Sequence, residues 1–211
     1  MKVAWVFDVI SPFAYLAFKQ FPRLPATVEV EFVPVLFAGL LDHHGQIGNA
    51  EIPPKRRFTY RFALWRARQL GVQMRPPPNH PFNPLMALRL IIAAGCTRQA
   101  IETTFDAVWL HGRDVADPKV IADLAAQLGV SDVQSAISQP SVKQKLRENT
   151  EWAISRNVFG VPTFVIGDEI FWGQDGLEMA LDYLRDPVAF EDEGMRAIET
   201  VGVGAVRPGS K

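Results

Sequence analysis

The chain has 211 residues, is 48% hydrophobic and 21% charged, and carries a formal net charge of −1. Such a chain can bury a sizeable core and is not disordered, and its near-neutral charge leaves no basic footprint for a nucleic-acid partner. Cys96 is the single cysteine, which excludes an internal disulfide and a CxxC redox pair, and no metal is expected.

In chain order, Lys2 to Phe7 reads as a strand rich in β-branched and aromatic residues, with Asp8 interrupting the apolar run. Ser11-Pro12 then opens a helix, since Ser is a favoured N-cap and Pro a favoured first helical residue. Phe13, Leu16, Ala17 and Phe21 follow at helical spacing, and Pro22 and Pro25 end the helix. Val28 to Val33 alternates as a half-exposed strand. The crossover between the two strands is long enough for a parallel βαβ unit.

From Phe37 to about Asn149 helical periods dominate. They cover Phe58–Leu70, Pro84–Ala94, Arg98–His111, Pro118–Gln127 and Ser131–Ile137, with Pro76, Pro77, Pro78 and Pro81 as a stiff connector. The cluster Lys55, Arg56, Arg57, Arg61, Arg66 and Arg68 reads as the solvated face of a helix. A long helix over Val142–Asn157 leads to Gly160-Val161-Pro162-Thr163. A hairpin follows, with strands Phe164–Ile166 and Glu169–Trp172 on a Gly167-Asp168 turn. Gly176 to Leu184 is a last helix, and no strong period follows Asp186. The whole is an α/β chain: βαβ, a helical block, then α-ββ-α around one mixed sheet. The longest uncharged apolar run, Leu90–Cys96, is far too short to span a membrane, and no secretory pattern opens the chain. A cytoplasmic protein is expected.

Three segments can carry chemistry. Ser11 stands after a strand at a helix start, where unpaired N–H groups and the helix dipole favour negative charge. It can donate a hydrogen bond to a thiolate supplied by a ligand, or it is only an N-cap. Val161-Pro162 is a candidate cis step whose outward backbone can pair with a peptide-like ligand, or it simply starts a strand. Asp175, after Trp172-Gly173-Gln174, can cap the following helix or hold an ammonium group.

Taken in order, Ser11-Pro12-Phe13, Tyr15-Leu16-Ala17, Gly48-Asn49, Phe159-Gly160-Val161-Pro162-Thr163-Phe164 and Trp172-Gly173-Gln174-Asp175 resemble one family. It is the 2-hydroxychromene-2-carboxylate isomerases with the kappa-class glutathione transferases, in the DsbA-like branch of the thioredoxin superfamily. The resemblance covers the chain to about Pro187. It implies a thioredoxin-like domain from residues 1–37 and 150–187, a helical insertion at 38–149 and a C-terminal tail at 188–211.

The resemblance also implies glutathione as cofactor, with Ser11 at its sulfur and the Val161 backbone, before a cis-Pro162, at its cysteinyl part. Redox-active relatives carry cysteines where this chain has Ser11 and Ala14, so disulfide exchange is excluded. Trp172, Gly173, Gln174 and Asp175 would hold the γ-glutamyl end. The aligned substrate positions fall on His44 (or His43), Asn49, Pro54, Lys55 and His80, where the isomerases carry a lysine, an asparagine–arginine pair and a tyrosine. The activity implied is isomerisation of an aromatic hydroxy-carboxylate through the glutathione thiolate, by a homodimer with no membrane or nucleic-acid partner. A kappa-like transferase and a non-catalytic peptide-binding protein are the alternatives.

Overall fold

The computed structural model describes residues 1–205; the last six residues of the expected tail, 206–211, lie outside the described residues. Strand β1 (Lys2–Phe7) is followed by α1 (Pro12–Lys19) and β2 (Glu29–Pro34). Ser11 caps α1: its side chain accepts from Ala14 N, and Pro12 stands at the first helical position, where a missing N–H costs nothing. β1 and β2 pair in parallel, from Lys2 opposite Glu29 to Phe7 opposite Pro34.

The helical block then runs through α2 (Phe37–His43), α3 (Pro53–Gln69), α4 (Leu85–Ala93), α5 (Arg98–Phe105), α6 (Pro118–Gln127), α7 (Val133–Ser138) and α8 (Pro140–Ser155). Helix α8 passes without a break through residue 150, where the sequence places the return to the sheet domain. β3 (Thr163–Ile166) and β4 (Glu169–Trp172) form the expected hairpin, and α9 (Gly176–Arg185) follows. β3 pairs antiparallel with β1, so the sheet order is β2-β1-β3-β4. From Pro187 to residue 205 the described chain forms short turns and α10 (Glu193–Ala197), with Phe190 packed on Phe171 and Tyr183.

Three details depart from the sequence reading. α3 begins at Pro53, five residues before the apolar period starts, because Pro53 and Pro54 occupy a first turn that needs no N–H donors. The expected helix over Arg98–His111 is not uniform: α5 gives way to a π-helical turn at Asp106–Leu110. The proline-rich connector holds a second cis bond, His80-Pro81, beside the expected one at Val161-Pro162.

The strand alternation of β1 sorts the core. Val3, Trp5 and Phe7 point into one large cluster with α1 and the helical block, while Ala4 and Val6 join a smaller aliphatic cluster facing α2 and α8. Tyr15, Phe18, Phe105 and Phe164 fill the first, and Val33, Val35, Leu40, Ala153, Val158 and Val161 the second.

Candidate active site

The site forms where the loop after β1 meets the step before β3. Ser11 is 7% exposed, and its Oγ donates to Val161 O at 3.3 Å while accepting from Ala14 N at 3.2 Å. Two segments 150 residues apart in sequence are thus joined by one hydroxyl at the N-terminus of α1. The hydroxyl is therefore more than a cap: it also reaches the carbonyl preceding cis-Pro162.

The third segment closes on the same step. Gly173 N donates to Pro162 O at 2.8 Å. Gly173 has φ +99°, and a Cβ there would lie 2.6 Å from Asp175 Oδ1, so only glycine brings the acidic residue back over the turn. Asp175 stands at the N-cap position of α9 but makes no capping bond, which leaves an exposed carboxylate at a helix start. Trp172 lies against Gly160, where a Cβ would come within 2.5 Å of its Nε1, and it meets Phe159 edge-on at 5.2 Å. Gln174 is buried. Its Oε1 accepts from Arg66 Nε at 2.7 Å, so its Nε2 is the other end of the amide, and that donor is buried without a partner.

The expected substrate residues are less gathered. His44 Nε2 lies 3.1 Å from Val158 O, just before the Phe159–Pro162 step. Asn49, Pro54 and Lys55 are exposed at the foot of α3. His80 places Nε2 2.9 Å from Ile10 O, inside a ring of Tyr60, Phe82 and Trp109 whose centroids lie 5.3, 5.8 and 5.8 Å away.

Several residues were not singled out by sequence. Asp8 is fully buried: Oδ1 accepts from Ile10 N at 3.0 Å and Oδ2 from Phe37 N at 2.9 Å. Burial pushes its carboxyl up to about 7, against the pull of those backbone donors. Its signal in the sequence was the acid that breaks an apolar run. Trp109, on the π-helical turn, donates Nε1 to Val9 O at 2.9 Å. Arg66, read as part of a solvated charge face, turns inward to Gln174. Among the described residues no His, Cys, Asp or Glu cluster could hold a metal ion, and no helix is long and apolar enough to cross a membrane.

A sheet in the order β2-β1-β3-β4, a helix-start serine beside a cis-proline and a helical insertion together define a thioredoxin-like fold of the DsbA type. The chain belongs to the DsbA-like thioredoxin family, whose model matches residues 2–185. It is 30% identical over 188 residues to a 2-hydroxychromene-2-carboxylate isomerase of Pseudomonas putida, covering 85% of this chain and 92% of that one. It is 26% identical over 207 residues to glutathione S-transferase kappa 2 of Caenorhabditis elegans, covering 88% and 92%. A solved 2-hydroxychromene-2-carboxylate isomerase superposes over 96% of this chain and 100% of that one, with a TM-score of 0.77 at 24% identity. These relatives are isomerases and glutathione transferases.

Proposed function

We propose that the chain is a glutathione-dependent isomerase acting on an aromatic hydroxy-carboxylate of the 2-hydroxychromene-2-carboxylate type. The observation that carries this reading is the Ser11 hydroxyl, held at the α1 N-terminus and 3.3 Å from Val161 O. The residues present fit glutathione. Gln174 Nε2 is a buried donor in need of an acceptor, Asp175 offers an uncommitted carboxylate for an ammonium group, and the backbone of Val161 faces the Ser11 hydroxyl. Gln174, Asp175, Trp172 and Gly173 would hold the γ-glutamyl end, and Val161 with Pro162 the cysteinyl part.

Glutathione supplies, when bound, the thiolate that adds reversibly to a conjugated substrate and so frees a bond to rotate. Ser11, by turning its hydroxyl proton from Val161 O to sulfur, and the Phe13 N–H with the dipole of α1 would stabilise negative charge there. Lys55, His44, Asn49 and Pro54 are the candidates for meeting the substrate on the insertion side. The reading includes a homodimer, for which the exposed row Phe58, Phe62 and Trp65 on α3 offers an apolar face, and a cytoplasmic location.

A kappa-like transferase is the second reading, favoured by the 26% identity that spans 92% of the Caenorhabditis elegans kappa enzyme. Millimolar glutathione should raise the thermal midpoint, because only the folded chain presents the site. An unchanged midpoint would sink both readings. Turnover of an aromatic hydroxy-carboxylate at catalytic glutathione, without net consumption of thiol, supports the isomerase; stoichiometric consumption of glutathione by an electrophile supports the transferase instead.

A further inference from the structure

Ser11 is placed by a four-residue loop whose polar groups are individually held. Asp8 Oδ1 takes the N–H of Ile10, and Asp8 O takes the N–H of Ser11 at 3.1 Å. Trp109 Nε1 donates to Val9 O, and the remaining carbonyl, that of Ile10, faces His80 Nε2. The Ile10–Ser11 peptide plane is therefore fixed at its nitrogen by Asp8 and at its oxygen by His80. That plane sets the direction in which the Ser11 side chain leaves the backbone.

A carbonyl only accepts, so Nε2 of His80 must carry the proton. In the uncharged ring Nδ1 is then a bare acceptor, and it is buried without a partner among the rings of Tyr60, Phe82 and Trp109. Burial holds the imidazole below its usual pKa, against the pull of its bond to Ile10 O, and the charge of Arg56 adds to the lowering. One nitrogen is committed to the Ser11 loop and the other is sealed, which leaves none to bind a substrate.

We propose that His80, 70 residues away in sequence, is a positioning residue for Ser11 and not a substrate contact. The inference rests on the catalytic place given to Ser11 above. The helical insertion, through His80 and Trp109, thereby sets the geometry of a group that belongs to the sheet domain.

The test uses the full chain and needs no glutathione, so it fails separately from the glutathione reading. In Ser11→Cys, the introduced thiol reports its position directly, and its pKa is read from ultraviolet thiolate absorbance. A cysteine at a helix start should titrate below the free value of about 8.5. Adding His80→Phe should raise that pKa by about half a unit, which cuts the thiolate fraction at pH 7 by up to about threefold. His80→Gln, whose amide can donate to Ile10 O, should restore it. If the introduced thiol titrates identically with and without His80→Phe, the proposal is overturned. Ring nitrogen-15 shifts of the unmutated protein decide the matter even where His80→Phe fails to fold: the Nε2–H tautomer is expected, and the Nδ1–H tautomer would overturn it.

Discussion

The two faces of the central sheet differ in kind. On one, Trp5 is fully buried and stacks on Phe7 at 4.4 Å and Phe18 at 5.7 Å, with the edge of Phe21 at 4.8 Å. On the other, Ala4, Val6, Val165 and Val161 make a thinner aliphatic layer, and Asp8 continues their side of β1 with a carboxyl. The aromatic face carries mass and contact area. The aliphatic face carries the polar group nearest the Ser11 loop and the valine whose carbonyl Ser11 meets. Neighbouring residues on one strand thus serve stability and site placement separately, by facing opposite ways.

That division should show most strongly at Trp5. Trp5→Ala should cost about 3–5 kcal/mol, through lost transfer energy and an unfilled cavity. Denaturant titration should place the loss in the midpoint, and a change under about 1 kcal/mol would mean that the aromatic face does not dominate.

Asp8 should give the next largest effect, and one that depends on pH. Its folded pKa of about 7 lies above the value of about 3.9 of an unfolded Asp, so the fold binds the extra proton. The stabilising contribution is whole below pH 4 and is lost as pH rises through about 7. The span amounts to up to about 4 kcal/mol, at about 1.36 kcal/mol per unit. Stability measured from pH 4 to 8 should fall more steeply in the unmutated chain than in Asp8→Asn, and parallel profiles would remove Asp8 from the account.

Ser11→Ala should separate site from fold. Stability should drop by the worth of a cap, roughly 0.5–2 kcal/mol, and of the bond to Val161 O, roughly 0.5–1.5 kcal/mol. The bound thiol should lose a charged hydrogen bond worth roughly 1.5–3 kcal/mol, raising its pKa and slowing turnover about tenfold or more. Identical thiolate titrations of bound glutathione in the two proteins would reduce Ser11 to a helix cap. The smallest effect is expected at Val6→Ala, where two buried methyl groups are worth roughly 1.5 kcal/mol. A loss as large as that at Trp5 would erase the contrast between the faces.

Much of the architecture was legible because local signals agreed with the fold. β1 was readable to the residue, since β-branched and aromatic types fill it and Asp8 ends it. The β3–β4 hairpin was readable from Gly167-Asp168, and Ser11-Pro12 from capping chemistry. α2 was not, because two turns with a central Gly39 carry too short a period, and a Cβ at Gly39 would come within 3.1 Å of Thr150 Cγ2. The π-helical turn leaves no mark on an apolar pattern, yet it lies where Trp109 reaches Val9. Arg66 shared its charge run with the exposed Lys55, Arg57, Arg61 and Arg68, and only the approach of Gln174, in the turn between β4 and α9, sets it apart. His80 illustrates the general difficulty: alignment gives its neighbourhood, but its partner Ile10 is set by how two distant segments pack.

The alternating glutamates of β2 have a consequence for self-association. β2 lies at the edge of the sheet, where unpaired backbone groups offer a template to another chain. Glu29 and Glu31 are exposed on that edge, and Pro34 at its end has no N–H to give. Two copies approaching edge to edge would bring Glu29 and Glu31 of one toward those of the other, with Glu31 already paired to Lys2 at 3.0 Å. The β2 edge is thereby guarded against pairing with its own copy, and β4 is left as the sheet's other edge.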